Sequence, residues 1–549
     1  MASLLPHTLP LGTVFARHLL RRATFTYTKA LVNRYALLTP AQALDLLFQD
    51  LPLPLPLPYD PFPTGTPDGF WTESLALPGS FAGQSRKAGF VAGWWWYNAI
   101  NTANLKFKMS HFLSTRFTVE KTNAAGTATE FFDHIRILQF YALGNYKTLA
   151  KKMTLNNSML QYLNNTANIK TAPNENYARE FFELFTIGKG ETIAPGNYTN
   201  YTEGDIVQAA KVLTGIRRQS NRSVLDVQTG IPCGYYVFSQ HDINTKVFSA
   251  AFNNISIAGA TSASAMDVEL DTFISMIFGK MATAKHICRK MYQYFVKGTI
   301  STEVETDIIA PLAQQLFSNG YEMAPIIRKL LESQHFYDLD DSNANDETIG
   351  GIIKSPIQQI SEICTYLQAT IPNPSTNPLG FYNTFWWNFI HNTFLAGSNM
   401  ILFDPDNVAG HPAYHQAPNY DKNWIASSTL IARYRAGESM VDGMNRIAGN
   451  NNIAAKINIS EVIKNGGLIS NASNPFILTS ELCQALFAQT PDAGRINYYM
   501  NSFLLQGLQT FYWTDAWQAY LSTNNNTVVE TRLKLLVTKI LSAPESQIF

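Results

Sequence analysis

Neither sign of charge is in surplus in this sequence. Lys plus Arg and Asp plus Glu each total 41 in 549 residues, and the pI lies near 7.1. Neutralising a phosphate backbone takes a basic excess, so generic nucleic-acid binding is not expected, although a local basic patch is compatible with the balance. Cysteine is scarce: Cys233, Cys288, Cys364 and Cys483 lie far apart with no CxxC pair. That spacing argues against a zinc cluster or a disulfide framework and reads as buried free thiols. No run approaches the ~18 to 20 uninterrupted apolar residues of a membrane span. The opening MASLLPHTLPLGTVFARHLLRR has no basic segment ahead of its apolar residues and is interrupted by Pro6 and Pro10, so no classical export signal is legible. The default expectation is a cytoplasmic protein, with export by another route as the alternative. HExxH, GxSxG and GxxxxGK[ST] are also missing, and with them the signatures of common hydrolases and nucleotide binders.

What is present is a folded, well-buried chain, 46% hydrophobic and 15% charged. The expected fold class is mainly α: a large multi-helix body with a small β-hairpin or irregular insertion and a helical C-terminal extension. We divide it into 1–218, an N-terminal helical region with a Pro-rich strap; 219–262, the β or irregular insertion; 263–435, a second helical region with a long His/Asp/Pro loop; and 436–549, the extension. Phe15 to Phe25 has helical spacing, with Arg17, Arg21 and Arg22 off the apolar face. Thr39-Pro40-Ala41-Gln42 is a capping box with proline in the first turn. Leu51 to Pro63, with alternating prolines, reads as an extended strap. Trp94, Trp95, Trp96 and Tyr97 point all round one helix, which places that helix in the interior. Tyr235 to Phe238 is β-prone, and Trp424 to Phe549 reads as four or five short helices.

The chain is organised around Asn174 to Arg218. Asn174 can cap a helix ending at Gly188, and Thr202-Glu203-Gly204-Asp205 starts a second that stops at Thr214-Gly215. On the first helix Asn176, Arg179, Glu180 and Glu183 share one face, and phenylalanines cover most of the rest. That face is either a packing network of arginine and glutamate or a carboxylate pair for metal binding or acid–base work. His241-Asp242, followed by Lys246, is either a loop-closing pair or a metal-binding dipeptide. The loop Phe403 to Asn423 carries the densest His/carboxylate grouping, with Asp404, Asp406, His411, His415 and Asp421. It matches no recognised ligand motif.

Several motifs then occur in order: HLLRRATF at His18 to Phe25, ALGNYKTLAKKM at Ala142 to Met153, and NSMLQYLNN at Asn157 to Asn165. PNENYAREFFELFTIG at Pro173 to Gly188 and YTEGDIVQAAKVLTGIR follow, then HDINTK, KSP at Lys354 to Pro356, and FDPDNVAGHP with NWIASSTLIARY. Together they resemble the bacterial DUF1800 family of unknown function, from about residue 15 to about residue 435. The resemblance implies no established activity. Members are often exported, and their genes often neighbour those of DUF1501 proteins, relatives of the alkaline phosphatase and sulfatase superfamily. Where relatives carry Phe-Trp-His-Asn-His-Phe, this chain has Phe112 to Phe117 as FLSTRF, so Ser114 and Arg116 replace two candidate histidine ligands. His411 stands where relatives carry tryptophan.

The first expectation for function is a non-catalytic scaffold or interaction protein of a bacterial envelope-associated or surface assembly, acting with a DUF1501-type partner. The alternative is a hydrolase, in one form metal-dependent. Its catalytic candidates are Arg179, Glu180, Glu183, His241 and Asp242, and its metal-ligand candidates His241, Asp242, Asp404, His411 and His415. No cofactor is expected beyond the divalent metal of that alternative. Convergence of these groups in one pocket favours the enzyme, and dispersed, individually paired groups favour the scaffold.

Overall fold

Side chains that satisfy orphan backbone groups set the helix boundaries. Thr39 Oγ1 accepts from the Gln42 amide at 3.4 Å while Gln42 Oε1 accepts from the Thr39 amide at 3.0 Å, opening the helix Pro40–Leu47. Thr127 and Glu130 start Ala128–Phe140 in the same way, and Thr202 and Asp205 start Glu203–Val212. A computed structural model describes residues 1–51, 58, 81–121, 126–341, 347–443 and 455–549 of the chain. It is mainly helical, with three two-stranded antiparallel ribbons among the described residues. The expected strap falls almost wholly outside them.

Two of the ribbons involve the expected insertion. Tyr235–Tyr236 pairs with Ile216–Arg217, and Lys246–Val247 pairs with Ser256–Ile257. The third, Thr192–Ala194 with Asn197–Tyr198, lies between the two helices expected in Asn174 to Arg218. Gly196 turns it at φ +74°, a left-handed conformation suited to glycine. Trp424 to Phe549 holds more α-helices than the four or five expected. Six are described: Ser427–Asp442, Ile459–Asn465, Pro475–Leu486, Ala493–Tyr499, Thr510–Thr523 and Thr527–Leu541.

Buried apolar side chains from Ala2 to Ala543 belong to one core cluster. Trp95 and Trp96 are fully buried and Trp94 nearly so, in agreement with an interior helix, Phe81–Asn101. Their indole nitrogens donate to Ser110 and Ser361 for Trp95 and Trp96 respectively. Arg21 and Arg22 are also interior, at 2% and 1% exposure, not on a solvated face. Arg21 donates to the carbonyl oxygens of Ala485 and Phe487 and lies 3.4 Å from Glu362, which also pairs with Lys354 at 2.7 Å. Arg22 donates to the main-chain oxygens of Thr348 and Phe549. The HLLRR and KSP motifs thus meet in one buried network that ties the first helix to the last.

Candidate functional site

The helix that carries the central face is not regular. Asn176–Glu180 is α-helical, and Phe181–Phe185 continues as a π-turn. The wider turn lets Phe181, Phe182 and Phe185 all be fully buried, and the Thr186 hydroxyl donates to the Phe181 carbonyl at 2.5 Å. Arg179 clamps both carboxylate oxygens of Glu203, at 2.6 and 2.8 Å, and reaches Glu175 at 3.2 Å. Glu183 pairs with Lys189 at 2.5 Å. These ion pairs are half-exposed, so they hold two helices together at the surface without the desolvation cost of a buried network.

Glu180 differs. Among the described residues it has no hydrogen-bond or ion-pair partner, and it is half-buried. Burial first, and then the neighbouring Glu183 charge, raise its carboxyl to about 7. The Tyr162 phenol is pushed up to about 12 by burial and then by the charges of Glu120, Glu180 and Asp404.

His241 and Asp242 belong to another place. His241 Nδ1 faces the Thr214 carbonyl at 2.8 Å and Nε2 faces Glu269 Oε2 at 2.9 Å, so both ring nitrogens meet acceptors. Lys246 Nζ lies 2.6 Å from Glu269 Oε1 and donates to the Asp242 carbonyl. The Ala260 amide donates to Glu269 Oε2 at 2.7 Å, and Asp242 Oδ1 accepts from the Asn244 amide at 2.8 Å. His241 and Lys246 are fully buried.

The loop Phe403 to Asn423 packs on the segment after the helix Leu105–Ser114. The Thr118 hydroxyl donates to the Val408 carbonyl, and Asp404 pairs with Lys121 at 2.9 Å with both side chains buried. His411 faces the Ile401 carbonyl at 3.1 Å, and burial lowers it to about 4. His415 faces the Gly410 carbonyl at 3.2 Å, and it is lowered by burial and then by Arg116. His391 is buried nearby under Trp387, with Nε2 unpartnered. Ser114 donates back to His111 within its own helix.

The structure therefore joins Glu183 to Lys189 and Asp404 to Lys121, and keeps His241–Asp242 and His411–His415 in separate settings. Among the described residues no group of three or more His, Cys, Asp or Glu is arranged to hold a metal ion. Sequence reasoning did not anticipate Glu269, Lys121, Lys290 or His286.

A mainly helical chain with one extensive core and no helix among the described residues long and apolar enough to cross a membrane is the class of protein these features define. Residues 18–548 match the family described as protein of unknown function (DUF1800), and the chain belongs to that family. No curated protein and no solved structure matches it.

Proposed function

We propose that this chain is a non-catalytic scaffold of a bacterial envelope-associated or surface assembly, acting with a DUF1501-type partner. One observation carries the reading: most of the candidate groups, Glu180 apart, are closed into separate pairs. Arg179 is held by Glu203, Glu183 by Lys189, His241 by Glu269 and Asp404 by Lys121. A nucleophile, a base and an electrophilic stabiliser have to converge on one reacting atom, and these do not. The C-terminal extension supplies a contact surface. Phe511 and Tyr512 stack at 4.3 Å with about half of each exposed, Leu521 is exposed on the same helix, and Tyr498 and Leu508 are exposed just before it in the chain. Exposed aromatics of this kind mark association surfaces.

A second reading, a hydrolase, is favoured by one observation only: the unpaired Glu180 carboxyl, which titrates near neutrality as a proton-transfer group does. Metal content by mass spectrometry and turnover of ester, glycoside, phosphate and sulfate substrates separate the two, with native protein beside Glu180→Gln, Glu183→Ala and His241→Ala. The scaffold reading expects no stoichiometric metal and no turnover. Turnover abolished by Glu180→Gln in a folded protein would replace it with the hydrolase.

A further inference from the structure

Among the described residues several buried or half-buried cations have an acid or a main-chain oxygen. Arg222 pairs with Asp133, Arg218 with Glu130, and Lys246 with Glu269, while Arg433 donates to the Lys354 carbonyl and Gln547. Lys108 meets Gln358 Oε1 and the Phe25 ring, and Arg116 has neither an acid nor a main-chain oxygen among the described residues. It follows the helix Leu105–Ser114, is 5% exposed, and its Nε donates to Thr115 Oγ1 at 3.3 Å. Its two terminal nitrogens make no hydrogen bond among the described residues.

A second cation faces the same place. Lys290, on the helix Met281–Phe295, is half-buried and its Nζ has neither a hydrogen-bond nor an ion-pair partner among the described residues. Thr115, Arg116, Lys290, Gln293, Tyr294 and Tyr414 line a cavity of about 10 Å³, enough for one oxygen-sized group.

No carboxylate among the described residues pairs with either cation. The other titratable neighbours are His286 and Arg289 on the helix of Lys290, His415 on the long loop, and the Tyr146 phenol. Arg289 is already held by Glu305 at 2.6 Å. Burial and then the Arg116 and Arg289 charges lower Lys290 to about 7, and burial lowers Arg116 to about 10. His286 is held down to about 3 by burial and then by Lys290, with its Nε2 buried and unpartnered. Two cations held at one cavity and largely withdrawn from solvent without a counter-charge are costly, and an anion relieves that cost.

We propose that Arg116 and Lys290 form a binding site for an oxyanion of the phosphate or sulfate class, one oxygen entering the cavity against the guanidinium and the remainder meeting the Lys290 ammonium at the mouth. A guanidinium matches such an anion with two parallel donors, and an ammonium adds a flexible point charge. The site does not depend on the scaffold reading, since it uses none of the paired groups on which that reading rests.

Calorimetric titration and thermal melting of the full chain at constant ionic strength test the site with sodium sulfate, sodium phosphate, glycerol phosphate and sodium chloride. Sulfate or phosphate binds in a 1:1 ratio and raises Tm, and Lys290→Gln weakens binding by about tenfold or more, whereas Lys280→Gln changes it by less than about twofold. Sulfate keeps its charge across neutral pH, so its affinity falls as pH rises through about 7 and Lys290 loses its proton. Tighter binding of glycerol phosphate than of phosphate assigns the site to a phosphate ester, and the reverse assigns it to the free anion. No binding of either oxyanion, equal binding in Lys290→Gln, or an equal response to chloride overturns the proposal. If Arg116→Gln does not fold, Lys290→Gln at the cavity mouth decides.

Discussion

Replacing Glu269 with glutamine tests whether the His241 region is a packing network. The change keeps the shape and removes the single negative charge facing Lys246 at 2.6 Å and His241 at 2.9 Å, in a place where all three side chains are at most 2% exposed. Lys246 would remain buried with Asp242 Oδ1 at 3.9 Å as its nearest acid. Breaking a buried pair from one side costs about 3–5 kcal/mol, because the surviving charge stays desolvated. Replacing the whole set with apolar residues of similar size removes that penalty. The triple variant His241→Leu, Lys246→Met, Glu269→Leu should therefore recover to within about 2 kcal/mol of wild type, the remainder being the Ala260 amide left without its acceptor. Urea denaturation followed by tryptophan fluorescence reads both effects as shifts of the midpoint. A Glu269→Gln cost under about 1 kcal/mol, or a triple variant worse than the single one, would refute the reasoning.

Three further outcomes follow from the same structure. Folded protein holds the Glu180 proton up to about 7 while the unfolded chain releases it near 4.5, so this group makes wild type lose stability as pH rises between those values. Glu180→Gln cannot ionise, and its stability advantage over wild type should grow from pH 4.5 to 7 in parallel denaturation series. Lys108, buried against the Phe25 ring and lowered to about 7 by burial, acts in the opposite sense: between pH 7 and 10.5 the unfolded chain binds a proton that the folded one lacks. Lys108→Met should flatten the rise in stability across that window. Gly188 sits at φ +70°, and a Cβ there would lie 2.5 Å from His286 Nδ1, so Gly188→Ala should lower the unfolding free energy from urea denaturation by about 1–2 kcal/mol or more.

Local chemistry was legible in the sequence. The capping boxes at Thr39 and Thr202, the glycine stops at Gly188 and Gly215, and the interior tryptophan helix each depend on residues a few positions apart, and the structure has them. Long-range pairing was not. Glu362 meets Arg21 and Lys354, and Glu269 meets His241 and Lys246, only after distant helices dock, so nothing in the spacing marks them as partners. The same limit explains the π-turn at Phe181–Phe185, which shifts the face inferred from regular helical spacing and leaves Glu180 alone while Glu183 finds Lys189. Arg116 was visible as a departure from the family pattern. That it faces Lys290 and no acid is a property of the packed helices.

The scaffold reading is tested most directly by size-exclusion chromatography with light scattering on the full chain mixed with a DUF1501-type protein, the partner class proposed above. The account predicts a complex of defined stoichiometry with wild type and with Glu180→Gln, lost in a folded Phe511→Glu, Tyr512→Glu double variant. Two separate peaks with wild type, together with substrate turnover that Glu180→Gln abolishes, would contradict it.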